Sequence, residues 1–384
     1  MEHLINQKVK DIEISGIRKF FNMVAGTKGM ISLTIGQPDF PTPLHVKEAA
    51  KQAIDENFTS YTHNAGDIRL RQAAASFVKA KYNLTYNPEL EVIVTSGASE
   101  AIDIAFRTIL DEGSEVILPG PVYPGYEPII KLCGSVPVHT DISRNKFRFT
   151  ADLIAEQMSD KTRCIVLPYP SNPTGVSLSL EELEEIAALV KGKDIFILAD
   201  EIYSELLYDQ THHSIASLLR EQTIVINGLS KSHSMTGWRI GLLFAPENLA
   251  KHILKVHQYN VTCAASVSQM AALEALTTGI NDALPMRHEY AKRRDYVYER
   301  LVQMNLDVVK PDGAFYFFIK IPDVSKNSFE FALSLVENAG VAVVPGSAFS
   351  SYGEGYFRIS FAYSMDTLQE GLDRIEKYLE GIKL

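Results

Sequence analysis

Lys231, Ser230 and Arg239 lie within SKSHSMTGWRIG, residues 230–241, a polar, glycine-containing turn that runs into an apolar segment. A lysine placed there suits covalent capture of a carbonyl group. Its amine reacts only after losing a proton, and burial or neighbouring cations promote that loss. Eight residues on, Arg239 offers a planar guanidinium able to grip a phosphate through paired bonds, and Ser230 adds a hydroxyl. Lysine and arginine at this spacing are more often plain surface charges, so the reading depends on what accompanies them.

Four other segments carry chemistry of the same kind. VIVTSGASEAIDIAF sets Gly97, Ala98 and Ser99 between a strand-like run and an amphipathic one. Small residues there permit close approach, and the free N–H groups of a helix start favour phosphate. The plainer reading is a tight turn with Ser99 as helix N-cap and Glu100 as a first-turn acid. Asp200 follows IFILA at the carboxyl end of an apolar run, where an ionised carboxylate can keep a pyridine-type nitrogen protonated. Tyr203, three residues further, shares its face if the turn is helical and can reach a ring oxygen. Asn172 sits in the rigid turn PYPSNPTG, and Tyr123 in PGPVYPGY can lay its ring on a planar group. Each of these is, alone, adequately explained as a cap, a loop or local packing.

The elements that must hold these residues alternate. Apolar strand candidates are Glu91–Thr95, Glu115–Leu118, Cys164–Leu167, Ile195–Ala199, Thr223–Ile226 and Ile240–Phe244, with helical patterns such as Ser99–Leu110 and Leu180–Val190 between them. Continuous apolar strands separated by helices predict an α/β fold with a mainly parallel central sheet covered on both faces. The first 45 or so residues differ, with a helical pattern followed by IGQPDFPTP. A helix-rich stretch after Asn260 leads to PDGAFYFFIKI, read as a strand, and a terminal helix. The expected division is residues 46–284 as a large domain, with 1–45 and 285–384 combining in a smaller α+β one.

Composition narrows the function classes. The formal charge of -10 argues against a broad nucleic-acid footprint. Cys133, Cys164 and Cys263 are three and far apart, which reads as packing rather than a disulfide framework. His212–His213 reads as a solvated pair in a polar loop, and no His/Cys/carboxylate spacing suggests a metal site. No apolar stretch approaches the roughly 18 residues of a membrane span, and MEHLINQKVK lacks a secretory apolar core. The cytoplasm is the expected compartment.

IGQPDF, YTHNAGDIRLR, TSGASEAI, YPSNPTG, ADEIY, SKSHSMTGWRIG and a late RIS occur in that order. The ordered set resembles class I/II aminotransferases of fold type I, within them the bacterial aminotransferase A group. The resemblance implies pyridoxal 5'-phosphate on Lys231 and phosphate contacts from Ala98, Ser99, Ser230 and Arg239. It implies Asp200 at the pyridinium, Asn172 and Tyr203 at the ring oxygen, and Tyr123 stacked on the ring. It also implies Arg358 on the substrate α-carboxylate, assisted by Gly36 and Asn172, and Tyr61 reaching the phosphate of a second subunit. That last correspondence implies a homodimer with shared active sites. One departure is Gly228, three residues before Lys231, where many relatives carry a phosphate-binding serine. Trp238 reads as packing rather than as a stacking platform.

The expected chemistry is transfer of an amino group from an L-amino acid to a 2-oxo acid, with Lys231 moving the Cα proton and Arg358 holding the carboxylate. Glutamate/2-oxoglutarate and an acetylated diaminopimelate or aromatic partner fit the resemblance. Two alternatives use the same constellation. A carbon–sulfur β-lyase would release pyruvate, ammonia and thiol without an acceptor. A non-enzymatic, cofactor-sensing regulator would need an added DNA-binding domain.

Overall fold

The structure, a computed structural model, describes residues 1–24, 29–322 and 327–382. Seven strands form the central sheet in the spatial order Val92–Thr95, Gly241–Phe244, Thr223–Gly228, Phe196–Asp200, Thr162–Leu167, Glu115–Gly120 and Val136–Asp141. Gly241–Phe244 is antiparallel to both neighbours, and every other pairing is parallel. Successive side chains go to opposite faces, as the strand period of two requires. Ile165 and Leu167 join one apolar cluster with helices Ile68–Tyr82 and Leu180–Val190, while Cys164 and Val166 join another with helix Ala98–Ile109. Burial of both faces is why these strands read as unbroken apolar runs.

The six predicted strands are all present, with ends displaced by a few residues. Val136–Asp141 is a seventh. VPVHTD carries a proline and polar residues because it closes an open edge of the sheet, with Val136 exposed. Since only Gly241–Phe244 is reversed, the carboxyl ends of the other six strands lie along one edge. The turn holding Arg239 enters the reversed strand from that same edge.

A third apolar cluster packs both chain ends together. It gathers Phe20 and Leu33 with residues of helices Ala283–Gln303, Ser328–Ala339 and Met365–Ile382. An antiparallel three-stranded sheet runs Val344–Pro345, Tyr356–Ser360, Tyr316–Lys320. PDGAFYFFIKI is therefore a strand from Tyr316, as predicted. Ser360 N–H donates to the Leu33 carbonyl at 2.8 Å, tying the N-terminal segment alongside Arg358.

Two local expectations need correcting. Helix Ala98–Ile109 is capped by Gly97 at φ +84° with no side-chain cap, so Ser99 sits inside the first turn instead of at the N-cap. Only glycine holds that φ without strain. His212 is not solvated: its ring is buried at ion-pair distance, 3.0 Å, from Glu201 and edge-on to Tyr82 at 5.0 Å. His213 is exposed, so the adjacent pair splits between core and solvent. A helix 130 residues upstream supplies the cover, which no local pattern reveals.

Candidate active site

A cavity of about 440 Å³ opens at the common strand edge, between the sheet and the smaller sheet's strands. Eleven of the twelve residues singled out from the sequence line it: Gly36, Ala98, Ser99, Tyr123, Asn172, Asp200, Tyr203, Ser230, Lys231, Arg239 and Arg358. Tyr61 does not; it stands 84% exposed on the outer surface.

Lys231 follows strand Thr223–Gly228 and points across the cavity, its Nζ donating to the Gly36 carbonyl at 2.5 Å. Burial, then the charges of Arg358 and Arg239, pull its amine down to about 8, with Asp200 opposing. An amine so tuned is partly neutral close to physiological pH, as a nucleophile and proton carrier must be.

Beside it is an anion corner. A Cβ on Gly97 would lie 2.3 Å from Arg239 Nη2, and one on Gly241 would lie 2.7 Å from the Ala98 nitrogen. Both glycines are needed for the guanidinium to reach the helix start. Arg239 takes a left-handed φ of +56° and donates to the Thr236 carbonyl at 3.0 Å. Uncapped helix N–H groups, the Ser99 and Ser230 hydroxyls and this guanidinium form the donor set a phosphate dianion requires. The Gly228 departure has a packing cause. It pairs with Gly241, and a Cβ there would sit 3.1 Å from the Ile240 carbonyl oxygen and from Ile202.

Asp200 ends strand Phe196–Asp200 as the cavity floor. Its Oδ2 accepts from the Tyr126 hydroxyl at 2.6 Å and its Oδ1 from Ile202 N–H at 3.3 Å. Burial raises its carboxyl, and those hydrogen bonds work against the rise. A buried carboxylate met by neutral donors favours a proton-bearing ring nitrogen beside it. Tyr123 folds over Gly125, where a Cβ would fall 2.3 Å from its ring, and meets Tyr126 edge-on at 5.5 Å. Phosphate donors, nucleophilic amine and buried acid are spaced around one cavity, and they fit pyridoxal phosphate.

The opposite wall centres on a buried guanidinium able to hold a carboxylate. Arg358 is 2% exposed, donating to Asn172 Oδ1 at 2.8 Å and to the Thr34 carbonyl at 2.7 Å. Its guanidinium lies 4.3 Å from the Tyr316 ring centroid, and its Nε has no partner among the described residues. Burial lowers its pKa, with nearby tyrosines opposing. A buried guanidinium without a carboxylate partner is costly by several kcal/mol until an anion arrives, roughly 3–5 kcal/mol for a broken buried pair.

Tyr126, Tyr316 and Thr34 line the site but escaped the sequence reading. Tyr126 had a signal, lying three residues after Tyr123 at a helix start. Tyr316 looked like one more aromatic of a strand, and Thr34 acts through its backbone. Trp238 packs against the large core, its Nε1 donating to Thr42 Oγ1 at 3.1 Å.

The family profile described as aminotransferase class I and II matches residues 28–375. A probable N-acetyl-LL-diaminopimelate aminotransferase of Bacillus subtilis is 66% identical over 379 residues, covering 99% of this chain and 96% of that protein. An aspartate aminotransferase of Pyrococcus abyssi is 42% identical, covering 96% of this chain and 97% of its own. The crystal structure of an aromatic aminotransferase from Pyrococcus horikoshii superposes with a TM-score of 0.90 at 39% identity, covering 96% of this chain and 99% of its own. With this fold and site, the chain belongs to the class I and II aminotransferases, pyridoxal-phosphate-dependent enzymes of fold type I. These relatives favour amino transfer over the lyase and regulator alternatives.

Proposed function

We propose that the enzyme moves an amino group between glutamate, the generic donor the family resemblance implies, and an N-acetylated 2-amino-6-oxopimelate-type acid, the oxo form of the compound in the Bacillus relative's name. The carrying observation is that a depressed amine, Lys231, and a buried guanidinium with a free edge, Arg358, face one cavity. Aromatic and aspartate donors are the competing substrates.

Pyridoxal phosphate, when bound, supplies the electron sink that makes the substrate's Cα proton removable. The chain's own residues do the rest. Arg358 grips the α-carboxylate through paired charged bonds, with Asn172 orienting the guanidinium and Gly36 lining the approach. Lys231, neutral once displaced by the substrate, would take the Cα proton and pass it to the carbon that must gain one for the amino group to be transferred. Asp200, steadied by Tyr126, keeps the ring nitrogen protonated, and Tyr203 and Asn172 serve the ring oxygen. Ala98, Ser99, Ser230 and Arg239 hold the phosphate, and Tyr123 covers the ring.

Tyr61, outside its own cavity, belongs to the partner's site in this reading, so the working form is a homodimer with shared active sites. The Tyr61 side chain, standing out from its own subunit, is free to serve a partner's site in this way. The reading keeps residues 46–284 as the cofactor domain and the two chain ends as the smaller one, a division the shared cluster of Phe20, Leu33 and the C-terminal helices supports. A cytoplasmic setting agrees with the three free cysteines.

The test mixes the purified holoenzyme with single amino acids, no acceptor present, and follows the cofactor spectrum and products. Stoichiometric conversion of the bound cofactor to its amine form by glutamate, reversed by the acetylated oxo acid, supports the reading. Continuous release of pyruvate and ammonia from cysteine conjugates would sink it.

A further inference from the structure

Along Phe315–Phe318 the side chains are four aromatics, and only position 316 carries a hydroxyl. That hydroxyl is buried, Tyr316 being 1% exposed, and a buried hydroxyl is unfavourable unless bonded. It lies 2.8 Å from the Tyr203 hydroxyl. Strand register sets the rest. Tyr316 pairs with Ser360 and Phe318 with Arg358, so Tyr316 and Arg358 are diagonal neighbours on one sheet face. The Tyr316 ring therefore lies against the guanidinium, at 4.3 Å. Gly36 completes the arrangement, since a Cβ there would sit 3.1 Å from the Tyr316 hydroxyl.

We propose that Tyr316 is a positioning residue for amino transfer: its hydroxyl donates to Tyr203, freeing Tyr203's own proton for the cofactor's ring oxygen, while its ring seats Arg358. The inference rests on the reading that Tyr203 serves that oxygen. Each hydroxyl has one proton and two acceptor sites. If Tyr203 spends its proton on the cofactor, only Tyr316 can donate across their contact, and a chain of two such bonds strengthens the outer one. Tyr316 would thus join Asn172 in connecting the electronics of the ring with the grip on the α-carboxylate.

The test uses holoenzyme and Tyr316→Phe, Tyr203→Phe and the double variant, reading the pH midpoint of the cofactor's visible absorption change. Hydrogen bonds to the ionised ring oxygen draw off charge that stabilises the protonated imine linkage to Lys231. Their loss raises the midpoint. Tyr203→Phe is expected to raise it most, Tyr316→Phe by about 0.5 pH, and the double variant no further than Tyr203→Phe. In Tyr316→Phe, kcat should fall about threefold to tenfold while KM for the amino acid stays within about twofold, because the ring remains. Tyr316→Leu should also raise KM by about tenfold. A midpoint moved by Tyr203→Phe but not by Tyr316→Phe overturns the inference alone. If neither moves it, the assignment of Tyr203 to the ring oxygen fails as well. Equal KM in the Phe and Leu variants overturns the seating of Arg358.

Discussion

The floor of the cavity and its Arg358 wall are built in opposite ways. Asp200, Lys231, Tyr123 and the Ala98 helix start all hang from carboxyl ends of strands in one sheet. Each is delivered by its own strand-to-loop junction, and the sheet sets their spacing. Arg358 is instead held by Thr34, 324 residues away in sequence, and by Asn172, 186 away. The floor is hydrogen-bonded and nearly complete: Asp200 has its donors, and Lys231 its acceptor. The Arg358 wall is left short of a partner at Nε among the described residues. A cofactor that stays suits the first arrangement, and a carboxylate that comes and goes suits the second.

Removing the floor's reactive group is the severest way to test this contrast. Lys231→Ala should slow the half-reaction by about 10⁴-fold or more, with cofactor still retained by the anion corner. Stopped-flow spectra of the loaded variant check it, and a loss under tenfold would remove Lys231 from the proton path. Breaking the Arg358 wall should act through binding. Arg358→Lys keeps the charge but not the fork, and kcat/KM for amino acids should fall about 10²-fold, chiefly through KM. An unchanged KM would place the α-carboxylate elsewhere.

A subtler test concerns the free amine. In cofactor-free protein, capture of pyridoxal phosphate requires neutral Lys231, whose amine lies at about 8. The rate of covalent capture, followed by absorbance, should rise about tenfold per pH below that value and level off above it. A rise that continues past about pH 9.5 would mean that Lys231 is not depressed. The smallest effect lies behind the floor. His233 meets the Gly279 carbonyl at 2.9 Å, and that turn is braced by His45 between Asp282 at 2.8 Å and Glu274 at 3.0 Å. Burial disfavours the charged ring, but the two carboxylates win and raise its pKa above 6.5. Its contribution is full below that ordinary value and fades as pH rises through the raised one. The partners are partly exposed, so the effect stays within about 1 kcal/mol. Thermal melts of His45→Gln should therefore differ from the parent more at about pH 6 than at about pH 8.5. A difference that grows with pH would reverse the sign.

The same contrast separates what could be read in advance. Floor residues carried local signatures: an apolar run ending in Asp200, and a glycine turn before an amphipathic helix. Each strand is buried on both faces, so its composition announces it. Val136–Asp141 lacks that signature because, unlike the opposite edge strand Val92–Thr95, it is only partly buried. Arg358 became legible only through the ordered resemblance, since one arginine in a strand has no local mark. Tyr316 stayed hidden, because its neighbours make the same aromatic pattern without its hydroxyl.

By itself, the sequence determined the alternation of strands and helices, the lysine turn and the acid at a strand end, because burial and backbone geometry act over a few residues. Tertiary structure decided which distant side chains meet. It put His212 in the core, joined Arg358 to Asn172 and Thr34, and set the Tyr316 hydroxyl on Tyr203. Those contacts depend on strand register and domain packing, and a change of register by one residue would turn Arg358 to the other face.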